Sequence, residues 1–270
     1  MLYTIQNESL RITVNSHGAE LWSMRTVKRP QVDFLWDGRP QVWPYRAPVL
    51  FPWCGKLECD QFELAGRRYQ GGWHGFIRDV EHTLIKAEED ALLFRLDWQG
   101  DETRWPWNFS FETRHHLVGR DVVTTCTATN QDDHPMPVQL GFHTGLRCPF
   151  TPGRRLEDYI VRFEAPEAPD GTDVFPLTPH VFDRDSICFH PSTSRWLQLE
   201  EKETGHYLRV DTQDFPYVLL WSPPGIPGFL CIEPWTGFAG PGHDLSRRPG
   251  SLLLAPGASF CRAQRIALHV

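Results

Sequence analysis

In Leu92-Leu93-Phe94-Arg95-Leu96-Asp97-Trp98 the large apolar side chains fall on every second residue. Leu92, Phe94, Leu96 and Trp98 share one face, while Arg95 and Asp97 share the other. A period of two belongs to a half-buried strand, whose successive side chains point to opposite sides of a sheet. Residues 122–129, Val-Val-Thr-Thr-Cys-Thr-Ala-Thr, form a β-branched run, and 207–210 and 217–221 read as further strands. No long window keeps the 3.6-residue apolar period of an amphipathic helix. Turn signals separate the runs at Gly66, Gly100-Asp101, 130–133 and Pro223-Pro224-Gly225. With 23 prolines and 21 glycines in 270 residues, long helices are disfavoured and many short strands are expected.

Sheets with one apolar face must bury it against another layer, so the expected fold is all-β, a large antiparallel β-sandwich. One domain over residues 1–270 is expected, because no low-complexity linker divides the chain. Residues 151–179, rich in Pro, Gly, Asp and Glu, read as a long surface insertion.

Hydrophobic residues make up 40% and the net charge is -7, so a packed globular protein with an acidic surface follows. That field repels phosphate backbones and anionic lipid, making nucleic acid and membrane poor partners. The first residues show no basic start and no apolar run, and no apolar stretch approaches the ~20 residues of a membrane helix. Seven cysteines without a CxxC pair argue against structural zinc and a disulfide framework. A reduced, cytoplasmic protein is expected, a monomer or homodimer, with Cys54, Cys126, Cys188 and Cys231 as small core residues. No metal and no cofactor are expected: HExxH, GxSxG, P-loop and GxGxxG are all missing. His115-His116 would point to opposite faces of a strand and so make a poor ligand pair.

Three short motifs stand out in strand-like surroundings: Trp73-His74-Gly75-Phe76, Gly141-Phe142-His143 and Cys231-Ile232-Glu233-Pro234-Trp235. Two histidines and a carboxylate converging on one cleft would form a proton-transfer kit working near pH 7. Along 136–143, Met136, Val138, Leu140 and Phe142 read as core. Pro137, Gln139, Gly141 and His143 face the other way, a small polar face suited to a groove, where Gly141 would let a ligand approach the backbone. The plain alternative is an edge histidine bonded to a carbonyl. Along 229–235, Leu230 and Ile232 face inward, with Cys231, Glu233 and Trp235 opposite. A partly desolvated Glu233 would be a stronger base, and Trp235 offers a flat face for a sugar ring; the alternative is a Glu233 held by an arginine. Arg46 and Lys56 flank an apolar segment and are candidates for contacting ligand hydroxyls or neutralising Glu233. Arg78 is a third cationic candidate, able also to pair with Asp79 and brace its loop.

Taken in order, these motifs resemble the aldose 1-epimerase (galactose mutarotase-like) family, and most nearly its divergent bacterial branch. Gly18-Ala19-Glu20-Leu21, Arg46-Ala47-Pro48-Val49-Leu50-Phe51-Pro52, His74-Gly75-Phe76-Ile77-Arg78-Asp79, Gly141-Phe142-His143 and Cys231 to Gly237 carry the likeness. The resemblance implies a galactose mutarotase-like β-supersandwich and cofactor-free interconversion of the α and β anomers of an aldose. It implies His143 as general acid on the ring oxygen, Glu233 as general base on the C1 hydroxyl, and His74 as a sugar-orienting residue. The resemblance sets Lys56 where the family has an arginine; the lysine keeps the charge but loses the bidentate fork. Asp185, or else Asp183, would supply the family's substrate-binding aspartate. Phe142 and Thr144 replace residues usual in the branch, and both changes are expected to bear on substrate choice. Two rival readings accompany this one. An anionic-sugar epimerase would need Arg46, Lys56, Arg78 or Arg147 at the pocket mouth. A non-catalytic sugar-binding or sensing protein would keep the aromatic platform without the acid–base geometry.

Overall fold

The computed structural model describes residues 1–101 and 103–270. Asp121–Asn130 shows the expected alternation in full, with every second side chain buried. It pairs with Phe109–Val118 on one side and Ser259–His269 on the other, both antiparallel. From these the sheet extends to nine strands in the spatial order Val174–Pro176, Tyr159–Phe163, Trp196–Glu201, Tyr207–Asp211, Ser259–His269, Asp121–Asn130, Phe109–Val118, Ala91–Trp98 and Thr83–Ala87. A six-stranded path orders Ile187–Phe189, Tyr217–Trp221, Phe229–Trp235, Gly141–Phe142 and Val49–Leu50, and Thr144–Arg147 also pairs with Phe229–Trp235. Leu2–Gln6, Leu10–Asn15 and Glu20–Thr26 make a three-stranded sheet at the start of the chain. The helices among the described residues are single 3-10 turns such as Ile77–Asp79, and none is long and apolar enough to cross a membrane.

The layers meet through two apolar clusters. One joins Phe94, Val161, Leu199 and Ile266 of the nine-stranded sheet to Val218, Leu220, Leu230 and Ile232 of the smaller one, and includes Ile12 and Val14 of the first hairpin. The other packs Phe109 and Phe111 against Phe51, Met136, Val138, Leu140 and Phe142. Because Leu230 and Ile232 are committed to the core, Cys231, Glu233 and Trp235 must emerge on the opposite face. The fold is therefore all-β and sandwich-like, as the alternation implied.

Three expectations are corrected. Residues 151–179 are not a surface insertion: Tyr159–Phe163 is largely buried and, with Val174–Pro176, forms the edge of the large sheet. Its composition hid a short apolar strand between polar turns. Cys188 is exposed, since it lies on the edge strand Ile187–Phe189, whereas Cys54, Cys126 and Cys231 are buried. The stretch 136–143 is not one regular strand, because pairing breaks at Gln139 and Leu140. Gln139 points away from the core as expected, but it acts as a clamp: its side-chain oxygen accepts from the Cys54 N–H, and its amide donates to the carbonyls of Phe238 and Pro249.

Gly75 illustrates how closely the segments approach. It sits at φ +70°, and a Cβ there would lie 1.9 Å from the Phe51 carbonyl oxygen. Neighbouring Gly72 has no atom within 4 Å of its virtual Cβ. Gly75→Ala should therefore cost about 2–5 kcal/mol of unfolding free energy, from left-handed backbone strain plus overpacking, while Gly72→Ala should fall within about 0.5 kcal/mol of wild type. Urea titrations of the two variants measure the contrast.

Candidate active site

Strand register brings the acid–base pair together. Gly141 stands opposite Trp235 and Thr144 opposite Ile232; continuing that register sets His143 opposite Glu233. The His143 Nε2 to Glu233 Oε2 distance is 3.3 Å. Neighbouring pairing fixes both backbones: the His143 N–H donates to the Pro48 carbonyl, and Leu219 flanks Glu233 on its other side. The pair lies on the floor of a cleft of about 370 Å³, also walled by Trp43, Tyr45, Trp73, His74, Arg78, Asp185, Ser186, Leu219, Trp221 and Trp235.

Aromatic packing holds the imidazole. Trp43 stacks on it with ring centroids 4.8 Å apart, and Trp221 and His74 meet it edge-on at 5.5 and 5.4 Å. Trp43 is itself stacked on Phe229, and its carbonyl accepts the Trp36 indole N–H. Water is thus displaced from both members of the pair. Burial lowers the His143 pKa to about 3, with the Arg78 charge adding to the shift and a bond to its own backbone opposing it. Burial raises the Glu233 carboxyl well above the usual carboxylate range, and the nearby Asp185 charge adds to it. Both shifts favour the uncharged pair, a neutral imidazole beside a protonated carboxyl. Among the described residues Glu233 is paired with His143 and with no arginine.

His74 occupies a left-handed backbone conformation, φ +66°. The Gly55 N–H donates to its Nδ1 at 3.0 Å, and its own N–H donates to the Gly55 carbonyl. Nδ1 is therefore an acceptor, and in the neutral ring the hydrogen belongs to Nε2. Burial, then the neighbouring His143, pushes the His74 pKa well down, so the ring is neutral and offers Nε2–H as a donor. Trp235 meets it edge-on at 5.3 Å.

Among the cations named from sequence, Arg78 alone lines the cleft. It lies 4.3 Å from the centroid of the Tyr45 ring, donates to the Trp73 carbonyl, and pairs with Asp79 at 3.6 Å. Tyr45 donates its hydroxyl to the same Asp79. Arg46 does not reach the cleft. Glu20 accepts the backbone N–H groups of Arg46 and Ala47, and the Arg46 guanidinium lies over Trp22 on the far side of that segment. Lys56 does not line the cleft either; it is half exposed, 3.9 Å from Asp60 and 5.8 Å from the Trp73 ring centroid. Arg147 donates to the Asp33 carbonyl, away from the site. Asp185 lies at the rim, whereas Asp183 pairs with His180.

Two further expectations change. The space beside Gly141 is filled by protein: a Cβ would meet the Trp235 indole at 2.6 Å and Cys54 Sγ at 2.9 Å. Phe142 packs edge-on against Phe215 in the core, and the Thr144 hydroxyl donates to Gln264, so neither side chain lines the cleft. Sequence reasoning gave no site role to Tyr45, Leu219 or Trp221, and counted Trp43 only among many possible stacking surfaces. The aromatic run Trp43-Pro44-Tyr45 and the alternation of Tyr217, Leu219 and Trp221 carried the available signal. For metals, Cys231 joins His143 and Glu233 with donor atoms mutually within 4.8 Å, and half-buried Asp132 with exposed Asp133 and His134 forms a second group. Burial raises the pKa of both the Cys231 thiol and the Glu233 carboxyl well above its usual range, which favours the protonated form that opposes ligation.

Comparison with known proteins gives the family and the fold. The family model described as aldose 1-epimerase matches residues 1–250. The protein LacX of Lactococcus lactis, chromosomal form, is 28% identical over 267 residues, covering 88% of this chain and 89% of LacX. Among solved structures, a galactose mutarotase related enzyme from Lactobacillus acidophilus superposes with a TM-score of 0.92 at 25% identity, covering 100% of this chain and 98% of the other. A galactose mutarotase-like protein from Lactobacillus casei gives 0.90 at 26%, covering both chains fully. The chain belongs to the aldose 1-epimerase family.

Proposed function

We propose that this protein interconverts the α and β anomers of an uncharged reducing aldose, without a cofactor, through His143 and Glu233. The observation that carries the reading is the 3.3 Å pairing of an imidazole and a carboxyl on the floor of an open, aromatic-walled cleft. Anomerisation needs a proton at the ring oxygen and the loss of another from the C1 hydroxyl. Those two oxygens are bonded to the same carbon, so adjacent proton carriers suit them. Glu233 takes the hydroxyl proton while His143 gives one to the ring oxygen. The bond from C1 to the ring oxygen breaks and the C1 carbonyl forms. Rotation about C1–C2 then presents the other carbonyl face, and closure returns both protons.

The proton count is conserved. Neutral imidazole with protonated carboxyl, and imidazolium with carboxylate, are two forms of the same one-proton pair. Sugar hydroxyls inserted between the two groups stabilise the second form, from which His143 acts as acid and Glu233 as base. No electrons are exchanged, so the reaction asks for no redox cofactor. His74, through its Nε2–H, and Arg78 and Asp185 at the wall are the proposed hydroxyl contacts, with Trp235 as an apolar surface. The cleft favours a neutral sugar over a phosphorylated one: its lining arginine is already paired with Asp79, and Asp185 adds an acidic group.

Anomer exchange followed by polarimetry or saturation-transfer NMR tests the assignment. His143→Ala and Glu233→Ala should each lose about 10²–10⁴-fold in kcat/KM. The double variant should lose little more than the worse single one, because the groups act as a unit. Wild-type rates no better than buffer across common aldoses, alongside measurable sugar binding, would instead support a binding or sensing protein.

The pH profile is a second test. Burial lowers the His143 pKa to about 3 and raises that of Glu233, so both shifts favour a pair that carries a single proton. A second proton enters only in strong acid, near the lowered His143 value. Measured against pH, kcat/KM should show no inflection near 6.5 of the kind an ordinary histidine would give.

A further inference from the structure

The cleft does not end at its rim. Trp73 is 52% exposed, although the acid–base pair at the floor is buried. The same indole lines a second, polar cavity of about 390 Å³, with Gln70, Asp79 and Arg104 among its other walls, and Arg78 lines both spaces. A large exposed aromatic at the border of two cavities leaves apolar surface in water unless a ligand covers it.

Trp73 is also held in place. Its backbone bridges to Lys56, its carbonyl accepts from Arg78, and the next residue shares with Gly55 one backbone hydrogen bond and one from the Gly55 N–H to its ring. A flat apolar surface fixed before the ligand arrives loses little entropy on binding. The second cavity meanwhile presents an amide, a carboxylate and guanidinium groups. Sugar hydroxyls, which both donate and accept, match that mixture. Arg78 is paired with Asp79, so its charge is already compensated there.

We propose that the preferred substrate is a reducing disaccharide, with its reducing ring at His143 and Glu233 and its second ring against Trp73 in the adjoining cavity. This deepens, and rests on, the anomer-exchange reading. The reacting carbon must sit at the buried floor, so the opposite edge of that ring points to the mouth. A glycosidic substituent leaving from that edge crosses Trp73.

The test compares anomer exchange of maltose and cellobiose with that of glucose, using wild type, Trp73→Ala and Arg104→Ala. Wild type should show a kcat/KM at least about tenfold higher for one of the disaccharides than for glucose. Trp73→Ala should abolish that preference through KM, lowering disaccharide kcat/KM about tenfold more than glucose kcat/KM. Arg104→Ala, at a residue that lines the second cavity and not the cleft, should weaken the disaccharide alone. Exchange of glucose with no disaccharide preference, or an equal loss on both in Trp73→Ala, would overturn this proposal and leave the acid–base reading standing. No exchange on any sugar would bring down both.

Discussion

One antiparallel register governs the site. Between Phe229–Trp235 and the strands containing residues 141–147, partners follow a single offset, so an imidazole and a carboxyl distant in sequence face each other. A slip of one residue would turn Leu230 and Ile232 out of the core and Glu233 into it. The hydrophobic effect thus fixes catalytic geometry indirectly. Apolar side chains lock the strand's rotation, and the polar ones on the reverse face inherit their position. Pro234, lacking an N–H, lies within this stretch and interrupts the ladder without shifting it.

The same packing sets the chemistry. Stacking His143 on Trp43 and sealing Glu233 beside Leu219 removes water from two groups whose charged forms depend on it. Each group alone is pushed toward its neutral state, and together they retain one transferable proton. The arrangement works against stability. A buried neutral histidine weakens the fold as pH drops below its unfolded value, and a buried protonated glutamate weakens it as pH rises above its own. Both penalties fall on the pair proposed to act on substrate. Function, rather than folding, explains a polar couple at the centre of an aromatic wall.

Much of this was legible in the sequence because period-two alternation reports directly on which side of a sheet a residue faces. Leu92 to Trp98, residues 122–129 and the two faces of 229–235 all follow it. Side chains outside regular strands obeyed no such rule. Arg46 and Arg78 look alike as cations beside apolar motifs, yet Glu20 anchors one backbone so that its guanidinium stacks on Trp22, while the other stays against Tyr45. Lys56 lies at the right place in sequence but on the outer side of Trp73. Phe142 and Thr144 flank His143, and for that reason point into the core or toward Gln264 rather than into the cleft. Nothing local records a choice made by a partner a hundred residues away.

His74 shows how far such support extends. Its ring is oriented by one backbone N–H, that of Gly55, so the position of Gly55 decides which nitrogen is left free to donate. Gly55 is held in turn by its neighbours: the Arg248 guanidinium donates to the carbonyls of Cys54 and Lys56, and Gln139 accepts from the Cys54 N–H. Arg248 is buried and carries no partner carboxylate in this contact, so its charge is spent on fixing two carbonyls. A loop segment would otherwise tolerate drift of an ångström or more. Tying it to segments more than 80 residues away removes that freedom, and the imidazole gains an orientation as fixed as that of a side chain on a central strand.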